Sequence, residues 1–433
     1  MQEATQVAKM PSKSSLYNPK VAWLALVGGL LIYFVNSAAQ YKVPPIMVEL
    51  NEALGLSLAD SGWLMSIMSL LGLIMALPAG AIIEKIGVKW ATVAAAAFQL
   101  VGSLVGTFAT GFGVMLFSRA LEGVALGLCN VSAFAVIAAF FPPEKRGLPN
   151  SLNTASYTVS VFLMMNVAVP LNTDFGWQGV WWFVNALSVL ALLAALFLIP
   201  GKAHEIDFED NKEIGDTKEK ISMKRLLTTP AIWIIPCVFI AFNIGYYGIS
   251  TYAPTYLVDT VGADMATADL AVSWMSLVGL PAALIAGVAL DRIKVQNRKW
   301  IAAAAMFLLA IGYFMAFSMP SVESEAALLI FIGFVCTFVP VALYTIGPDT
   351  IPSAAYAAII LAIVTFGQNI GMTLGPLVVG YIVDAAGAFE ACAAPLGILA
   401  VIGGIIMLFV KVRPMKGLEK QDGETKPASE SAE

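Results

Sequence analysis

The amino-acid sequence predicts an all-α membrane protein with twelve transmembrane helices in two pseudo-symmetric six-helix bundles. The 433-residue chain is 59% hydrophobic and only 12% charged, whereas a soluble chain carries about 25% charged residues. Cutting the chain at every Asp, Glu, Lys and Arg leaves twelve uncharged runs of 20 or more residues. A helix needs roughly 20 apolar residues to cross a bilayer, so each run predicts one spanning helix.

The unbroken character of these runs favours helices over a β-barrel. Only helices and closed barrels satisfy their backbone polar groups in lipid, and barrel strands alternate apolar and polar residues over about ten positions. The runs in this chain do not alternate. The twelve predicted helices are 21–47, 58–83, 90–109, 112–141, 148–171, 177–200, 229–257, 265–290, 299–318, 325–346, 353–382 and 388–411.

Lysine and arginine are concentrated in alternate loops of this prediction. With the N-terminus inside, the inner segments hold 22 of the 24 basic residues. The exceptions are Lys42, at the outer end of predicted helix 1, and Arg119, inside predicted helix 4. Because basic residues mark cytoplasmic loops, we expect both termini to be cytoplasmic. We expect Lys42 to extend its ammonium group to the membrane interface, where it can also attract anions.

One long polar loop divides the chain into halves that resemble each other. Pro44-Pro-Ile-Met-Val-Glu49 and Pro254-Thr-Tyr-Leu-Val-Asp259 lie 210 residues apart, and the motifs at Gly80–Lys85 and Gly287–Arg292 lie 207 residues apart. Two pairs in order at nearly one offset predict a tandem repeat. Two parallel six-helix repeats with a site near the midplane describe one transporter architecture, and a complete pathway in one chain predicts a monomer.

The domain organisation follows from this repeat. We predict a cytoplasmic tail at 1–20, a bundle at 21–200, a cytoplasmic linker at 201–228, a second bundle at 229–411 and a disordered cytoplasmic tail at 412–433. Short loops and compact length favour the inner membrane of a prokaryote.

The motifs that begin at Gly80 and Gly287 resemble signature motifs of the major facilitator superfamily. The loop between predicted helices 2 and 3 reads Gly80-Ala-Ile-Ile-Glu84-Lys85-Ile-Gly87-Val-Lys89, close to that family's G-x-x-x-[D/E]-[R/K]-x-G-[R/K]-[R/K] signature. A reduced copy reads Gly287-Val-Ala-Leu-Asp291-Arg292, and a third variant spans 380–387. Predicted helix 4 matches the R-x-x-[Q/E]-G pattern as Arg119-Ala-Leu-Glu122-Gly123. The resemblance covers about residues 20–411.

The resemblance implies a secondary transporter that works by alternating access. It also implies that one set of loop residues latches a conformation without touching the substrate. That set is Gly80, Glu84, Lys85, Gly87, Lys89, Gly287, Asp291 and Arg292.

Three further features bear on the branch of the family. Predicted helix 5 lacks the G-x-x-x-G-P motif of antiporters, and the nearest match is Gly371-Met-Thr-Leu-Gly375-Pro376 in predicted helix 11. Val43-Pro44-Pro45 and Trp63-Leu-Met-Ser resemble the cyanate and nitrate-type anion permeases. Predicted helix 10 contains neither Arg nor Lys over 326–345, which argues against a two-arginine nitrate site.

Arg119 is the strongest single candidate for substrate binding. An ionisable residue within a spanning helix is costly and usually faces a partner or a cavity. Its guanidinium group suits a carboxylate or another oxyanion. Glu122 lies three residues on and can pair with it, so a structural ion pair is an equal alternative. If a substrate anion competes for Arg119, Glu122 is released to take a proton, which makes Glu122 the proton-coupling candidate.

Polar and aromatic residues on several predicted helices can orient a substrate near the midplane. Helix–helix hydrogen bonding is the alternative use of the same residues. They are Asn36, Gln40, Tyr41, Asn153, Tyr157, Asn243, Tyr246, Tyr247, Ser250, Gln368 and Asn369.

The sequence therefore predicts transport of a small anionic solute, by proton symport or by uniport. The alternative is efflux of a hydrophobic or drug-like compound. His204 is the only histidine, and no G-x-S-x-G, H-E-x-x-H or G-x-x-x-x-G-K-[S/T] motif occurs. We therefore predict no enzyme activity, no cofactor and no metal, with the solute, a proton and the bilayer as partners. The mild net charge of −5 predicts no nucleic acid.

Overall fold

A computed structural model describes residues 18–142, 145, 147–201, 230–346 and 357–410, and helices account for almost all of these residues. The predicted linker at 201–228, apart from Gly201, and the predicted tail at 412–433 lie outside these residues, as does most of the N-terminal tail. The described α-helices are α1 (Pro19–Gln40), α2 (Met47–Leu54), α3 (Leu58–Thr107), α4 (Phe112–Phe140), α5 (Gly147–Phe175), α6 (Trp177–Leu198), α7 (Pro230–Asp259), α8 (Met265–Leu277), α9 (Gly279–Arg292), α10 (Arg298–Met315), α11 (Val322–Cys336), α12 (Phe338–Ile346), α13 (Ala357–Ala386) and α14 (Ala393–Leu408).

Twelve segments within the described residues are long and apolar enough to cross a membrane. Their number and helical character confirm the predicted fold class. Helix α3 supplies two of them, Leu58–Ala76 and Pro78–Thr107. The backbone of α3 leaves the helical conformation at Gly87, with φ 85° and ψ 162°, within the loop that the sequence predicts between predicted helices 2 and 3.

The chain divides into two compact units, Met1–Thr217 and Lys218–Glu433. We call them the N-terminal unit, which contains α1 to α6, and the C-terminal unit, which contains α7 to α14. Each unit has its own packed interior.

Prolines break three of the predicted helices. Predicted helix 1 was expected to continue to residue 47, but α1 ends at Gln40 and a 3-10 turn at Pro44–Ile46 separates it from α2. Pro44 and Pro45 have no N–H to donate, and the residue before a proline is disfavoured in the α-conformation. The chain therefore turns at Tyr41, Lys42 and Val43.

The breaks in predicted helices 8 and 10 share one cause, a proline four residues after the last helical residue. Pro281 and Pro340 lack the N–H that would bond the carbonyl four residues earlier, on Leu277 and Cys336. These two residues are the last of α8 and α11. A Cβ atom added to Gly279 would lie 3.2 Å from Thr337 Oγ1, so the two breaks face each other within the C-terminal unit.

Glycines allow the closest helix contacts in both units. A Cβ atom on Gly127 of α4 would lie 2.5 Å from the Gly72 carbonyl oxygen of α3, and one on Gly123 would lie 2.7 Å from that of Met68. In the C-terminal unit, a Cβ atom on Gly371 of α13 would lie 2.6 Å from Asn243 Cβ of α7. The α3–α4 contact brings the charged residues of α4 against α3.

Candidate functional site

Three charged side chains meet in the interior of the N-terminal unit. Glu122 Oε1 lies 2.6 Å from Lys42 Nζ, and Glu122 Oε2 lies 2.6 Å from Arg119 Nη1. All three side chains are fully buried. We call these three residues the charge centre. Two cations share one carboxylate, so with all three ionised the centre carries a net charge of +1.

Lys42 was expected at the membrane interface, and that prediction is wrong. Its ammonium group also contacts Ser103 Oγ at 3.2 Å and lies 4.4 Å from the centroid of the Trp181 ring. The proline-induced turn after α1 directs the side chain inward, and the pairing with Glu122 offsets the cost of removing the ammonium group from water.

Arg119 is held mainly by backbone carbonyl groups. Its Nε donates to Leu64 O at 3.0 Å, Nη1 donates to Ala39 O at 2.7 Å, and Nη2 donates to Gln40 O at 3.3 Å. Ala39 and Gln40 end α1, where the last carbonyls have no partner within the helix. Together with the bond to Glu122, four of the five guanidinium N–H groups are engaged. Arg119 therefore joins α1, α3 and α4, as the structural alternative requires.

Two amide side chains extend the charge centre. Asn36 Nδ2 donates to Gln99 Oε1 at 2.7 Å, and Gln99 Nε2 contacts Glu122 Oε1 at 3.3 Å. Asn36 was predicted from the sequence as a site residue, whereas Gln99 and Ser103 were not. Gln99 and Ser103 are polar residues four positions apart in an apolar helix, which places them on one face, and this spacing could have identified them.

The predicted residues Tyr41 and Tyr157 are also brought together. Tyr157 Oη donates to Tyr41 Oη at 3.1 Å, and the ring centroids are 6.1 Å apart with the planes at 84°. Asn153 lies one turn before Tyr157, is 1% exposed, and has no hydrogen-bond partner for its side-chain amide among the described residues. Gln40 contributes its carbonyl oxygen to Arg119.

The predicted polar residues of α7 bond mostly within their own helix. Asn243 Nδ2 donates to Phe239 O at 3.0 Å, and Ser250 Oγ donates to Tyr247 O at 3.3 Å. Tyr246 forms an edge-to-face contact with the Tyr247 ring at 5.3 Å. This pattern favours a packing role for Asn243 and Ser250.

The two predicted residues of α13 have different surroundings. Gln368 Oε1 accepts a hydrogen bond from Tyr344 Oη, and Tyr344 Oη also lies 3.2 Å from Thr365 Oγ1. Asn369 Nδ2 donates to Thr365 O within its own helix, at 2.9 Å. Among the described residues of the C-terminal unit, the buried charged side chains are Asp269 and Glu325, and both are acidic.

The glycines of the latch motifs have identifiable backbone roles. Gly87 in the first copy of the motif and Gly387 at the end of the third variant have φ values of 85° and 71°, a region that favours glycine. Around Gly80 and Gly287, no described atom beyond the glycine's own helical turns lies within 4 Å of an added Cβ atom. The remaining latch residues that are described in full lie at the surface or close to it, and the Asp291 side chain is outside the description. They are Glu84, Lys85, Lys89 and Arg292.

Comparison with known proteins supports the same fold. The structure superimposes on an inward-facing, unoccupied bacterial homologue of the human lysosomal transporter Spinster, with a TM-score of 0.73, 16% identity, and coverage of 91% of this chain and 95% of that one. For a D-xylose–proton symporter the TM-score is 0.69, with 19% identity over 92% of this chain and 98% of that one.

Three bacterial relatives align with most of this chain. The uncharacterized transporter YycB of Bacillus subtilis (strain 168) is 26% identical over 85% of this chain and 89% of its own length. The probable galactarate/D-glucarate transporter GudP of the same organism is 23% identical over 93% and 94%. The probable L-galactonate transporter of Escherichia coli (strain K12) is 21% identical, covering 90% of each chain.

These relatives are transporters, which confirms that the chain is a transporter of small solutes and not an enzyme. The model of the Major Facilitator Superfamily matches residues 29–360 and 257–432, so the match extends over both units. The chain therefore belongs to the major facilitator superfamily.

Proposed function

We propose that this transporter moves a small organic anion together with protons by alternating access. The observation that carries the proposal is the position of Glu122, whose two carboxylate oxygens each pair with a different buried cation at 2.6 Å. A buried ion cluster is weak evidence for a contribution to stability. Its cost is easier to understand if the charges are used during transport.

Lys42 is the residue we assign to the anion, in place of Arg119. The Arg119 guanidinium group has four of its donors committed, three of them to backbone carbonyl groups. Two of these carbonyls, on Ala39 and Gln40, lie at the end of α1 and have no partner within the helix. Among the described residues, the Lys42 ammonium group has polar contacts only with Glu122 and Ser103. Releasing Lys42 from Glu122 therefore breaks one ion pair and leaves the joint between α1, α3 and α4 intact.

Proton coupling follows from the shared carboxylate. A proton on Glu122 weakens its attraction for Lys42 and frees the ammonium group for a substrate anion. An anion on Lys42 in turn displaces Glu122 and favours its protonation. Because linkage between two ligands is reciprocal, binding of the proton favours binding of the anion and the reverse. Symport requires this joint binding.

The substrate class we infer is a carboxylate such as a sugar acid. Two relatives are named for galactarate or D-glucarate and for L-galactonate, and both names describe carboxylated sugars. The resemblance to cyanate and nitrate permeases remains a prediction. We also propose that both termini are cytoplasmic in a prokaryotic inner membrane, that the monomer is the working unit, and that the latch motifs control the change of conformation.

The proposal is tested by thermal unfolding of the detergent-purified protein against sugar acids, small monocarboxylates, inorganic anions and neutral sugars. A ligand at 100-fold its Kd stabilises a protein by about 2.7 kcal/mol. We expect a carboxylate to stabilise the wild type and to lose its effect in Lys42→Gln. This variant keeps the Glu122–Arg119 pair and is expected to fold. The matched control is Lys294→Gln, which changes an exposed lysine and is expected to respond like the wild type.

Uptake into proteoliposomes then tests the coupling. An inwardly directed proton gradient is expected to drive accumulation of the stabilising anion by the wild type. An anion effect that persists in Lys42→Gln would remove Lys42 from the site. Stabilisation by neutral or lipophilic compounds alone would favour the efflux alternative, and accumulation that ignores the gradient would favour uniport.

A further inference from the structure

Glu325 is a buried carboxyl group that the proposed transport chemistry does not use. It lies in the first turn of α11 and is 0% exposed. Neither carboxyl oxygen has a hydrogen-bond partner among the described residues. An ionised carboxylate is very costly to bury without a partner, so this environment requires either a counter-ion or a bound proton.

No described cation is available as the counter-ion. The described basic residues of the C-terminal unit, Arg292, Lys294, Arg298 and Lys299, lie before α10 or at its start, whereas Glu325 lies beyond its far end. Helix α10 has 18 residues, which corresponds to a length of roughly 27 Å at 1.5 Å per residue. Glu325 is thus at the end of the unit opposite its described cations.

The groups around Glu325 are aromatic or acidic. Tyr256 of α7 lies within electrostatic range of it, as well as of Glu390, and the Tyr256 hydroxyl group donates to Met319 O at 2.9 Å. The backbone N–H group of Phe317 lies beside the carboxyl group and is a weak donor toward it, without reaching hydrogen-bond geometry. On the neighbouring turns, Glu323 and Asp259 are exposed. None of these groups can neutralise a carboxylate.

Three aromatic rings close this end of the unit. Ring centroids are 5.5 Å apart for Tyr256 and Phe317, 5.8 Å for Tyr256 and Phe389, and 5.6 Å for Phe317 and Phe389. Rings in mutual contact at these separations leave no room among them for an organic cation. Among the described residues, Phe317 is the non-glycine residue with positive φ, at 60°, a conformation that the surrounding packing must maintain.

We propose that Glu325 is a proton-binding site, and that its protonation keeps the aromatic end of the C-terminal unit closed. The carboxyl group is protonated while Tyr256, Phe317 and Phe389 cover it. Ionisation requires access to water, and access requires the first turn of α11 to separate from this aromatic cluster. Rising pH therefore favours the opened arrangement, by up to about tenfold per pH unit for one proton. The proposal does not depend on proton coupling at Glu122.

Infrared spectroscopy of the full-length protein in detergent tests this assignment. A protonated carboxyl group has a C=O stretching band that is distinct from the bands of a carboxylate. We expect the wild type to show this band at neutral pH. In Glu325→Gln, the intensity of the band should decrease by the contribution of one carboxyl group. The matched control is Glu323→Gln, which changes an exposed carboxylate two residues away and should leave the band unchanged.

The pH dependence of unfolding gives a second readout. The unfolding temperature of the wild type is expected to fall more steeply between pH 5 and pH 8 than that of Glu325→Gln, because the amide has no proton to lose. If Glu325→Gln is not recovered folded, Glu325→Leu removes the titration with an apolar group that suits the cluster. An unchanged band in these variants, or equal pH slopes, would overturn the proposal.

Discussion

The two units treat buried charge in opposite ways. In the N-terminal unit, Lys42, Arg119 and Glu122 are fully buried and paired with one another. In the described part of the C-terminal unit, the buried charged residues are both acidic, and the Glu325 carboxyl group has no hydrogen-bond partner. The position 210 residues after Lys42 is Tyr252, which is also fully buried. The repeat has thus kept the helix pattern of the two halves while the charges differ.

This difference indicates where the electrostatic work of transport is done. A paired charge centre can exchange one partner for a substrate anion, because each ion has an alternative neighbour. An isolated carboxyl group can exchange only a proton. We therefore assign substrate recognition to the N-terminal unit and a proton-controlled closure to the C-terminal unit, and each assignment rests on its own experiment.

The same substitution in both units gives the largest expected effect. Glu122→Gln leaves two buried cations facing a neutral amide and is expected to lower the free energy of unfolding by about 3–5 kcal/mol. Glu325→Gln replaces a protonated carboxyl group with an amide of similar shape and is expected to change it by less than about 1 kcal/mol. Unfolding of both variants in one detergent measures the difference.

An equal decrease in the free energy of unfolding of these two variants would contradict the difference between the units. It would mean that Glu325 is ionised and paired in the folded protein, or that the charge centre tolerates the loss of its carboxylate. A larger loss in Glu325→Gln than in Glu122→Gln would reverse the assignment of the two units.

Arginine-to-lysine substitutions compare the two units through smaller changes in stability. Arg119→Lys keeps the charge but cannot reach the carbonyl groups of Leu64, Ala39 and Gln40 together, because an ammonium group lacks the guanidinium fork. The Ala39 and Gln40 carbonyls would be left without a donor, while the Leu64 carbonyl keeps its helical hydrogen bond, and the expected cost is about 2–3 kcal/mol. In the C-terminal unit, Arg298 Nε donates to Leu290 O at 3.2 Å in a partly buried setting, and Arg298→Lys should cost no more than about 0.5 kcal/mol.

Thermal unfolding measures both variants, and anion binding separates structure from recognition. If Arg119 holds the helices and Lys42 holds the substrate, Arg119→Lys should unfold earlier but keep its anion response below its unfolding temperature. Loss of the anion response with unchanged stability would return the substrate role to Arg119.

Composition and spacing were enough to predict the helical membrane fold. Twelve apolar runs, the loop motifs and the proline signals are local properties of the chain. They can therefore be identified without knowledge of tertiary contacts. The positions of the helix breaks were missed at residues 278 and 337, although Pro281 and Pro340 were visible in the sequence. A proline affects the carbonyl four residues before it, and the prediction did not apply that offset.

The charge centre was only half predictable. Arg119 and Glu122 are neighbours on one helix, and their pairing follows from a spacing of three residues. Lys42 pairs with Glu122 across 80 residues of sequence, and its position beside two prolines resembled an exposed loop end. Nothing local distinguishes a lysine that extends to the interface from one that turns inward, because the distinction depends on which helix packs against the turn.

Glycine contacts give the smallest expected effect, and here the two units should behave alike. A Cβ atom on Gly127 would lie 2.5 Å from Gly72 O, and one on Gly371 would lie 2.8 Å from Ile240 O. Because backbone cannot move aside as a flexible side chain can, Gly127→Ala and Gly371→Ala should each cost about 1–2 kcal/mol. Gly80→Ala meets no described atom within 4 Å and should stabilise its helix by up to about 1 kcal/mol. Unfolding of the three variants tests whether both units depend on close helix contacts at glycines. A loss confined to Gly127→Ala would show that α4 and α3 depend on close packing more than α13 and α7 do, and the difference between the units would then extend beyond charge.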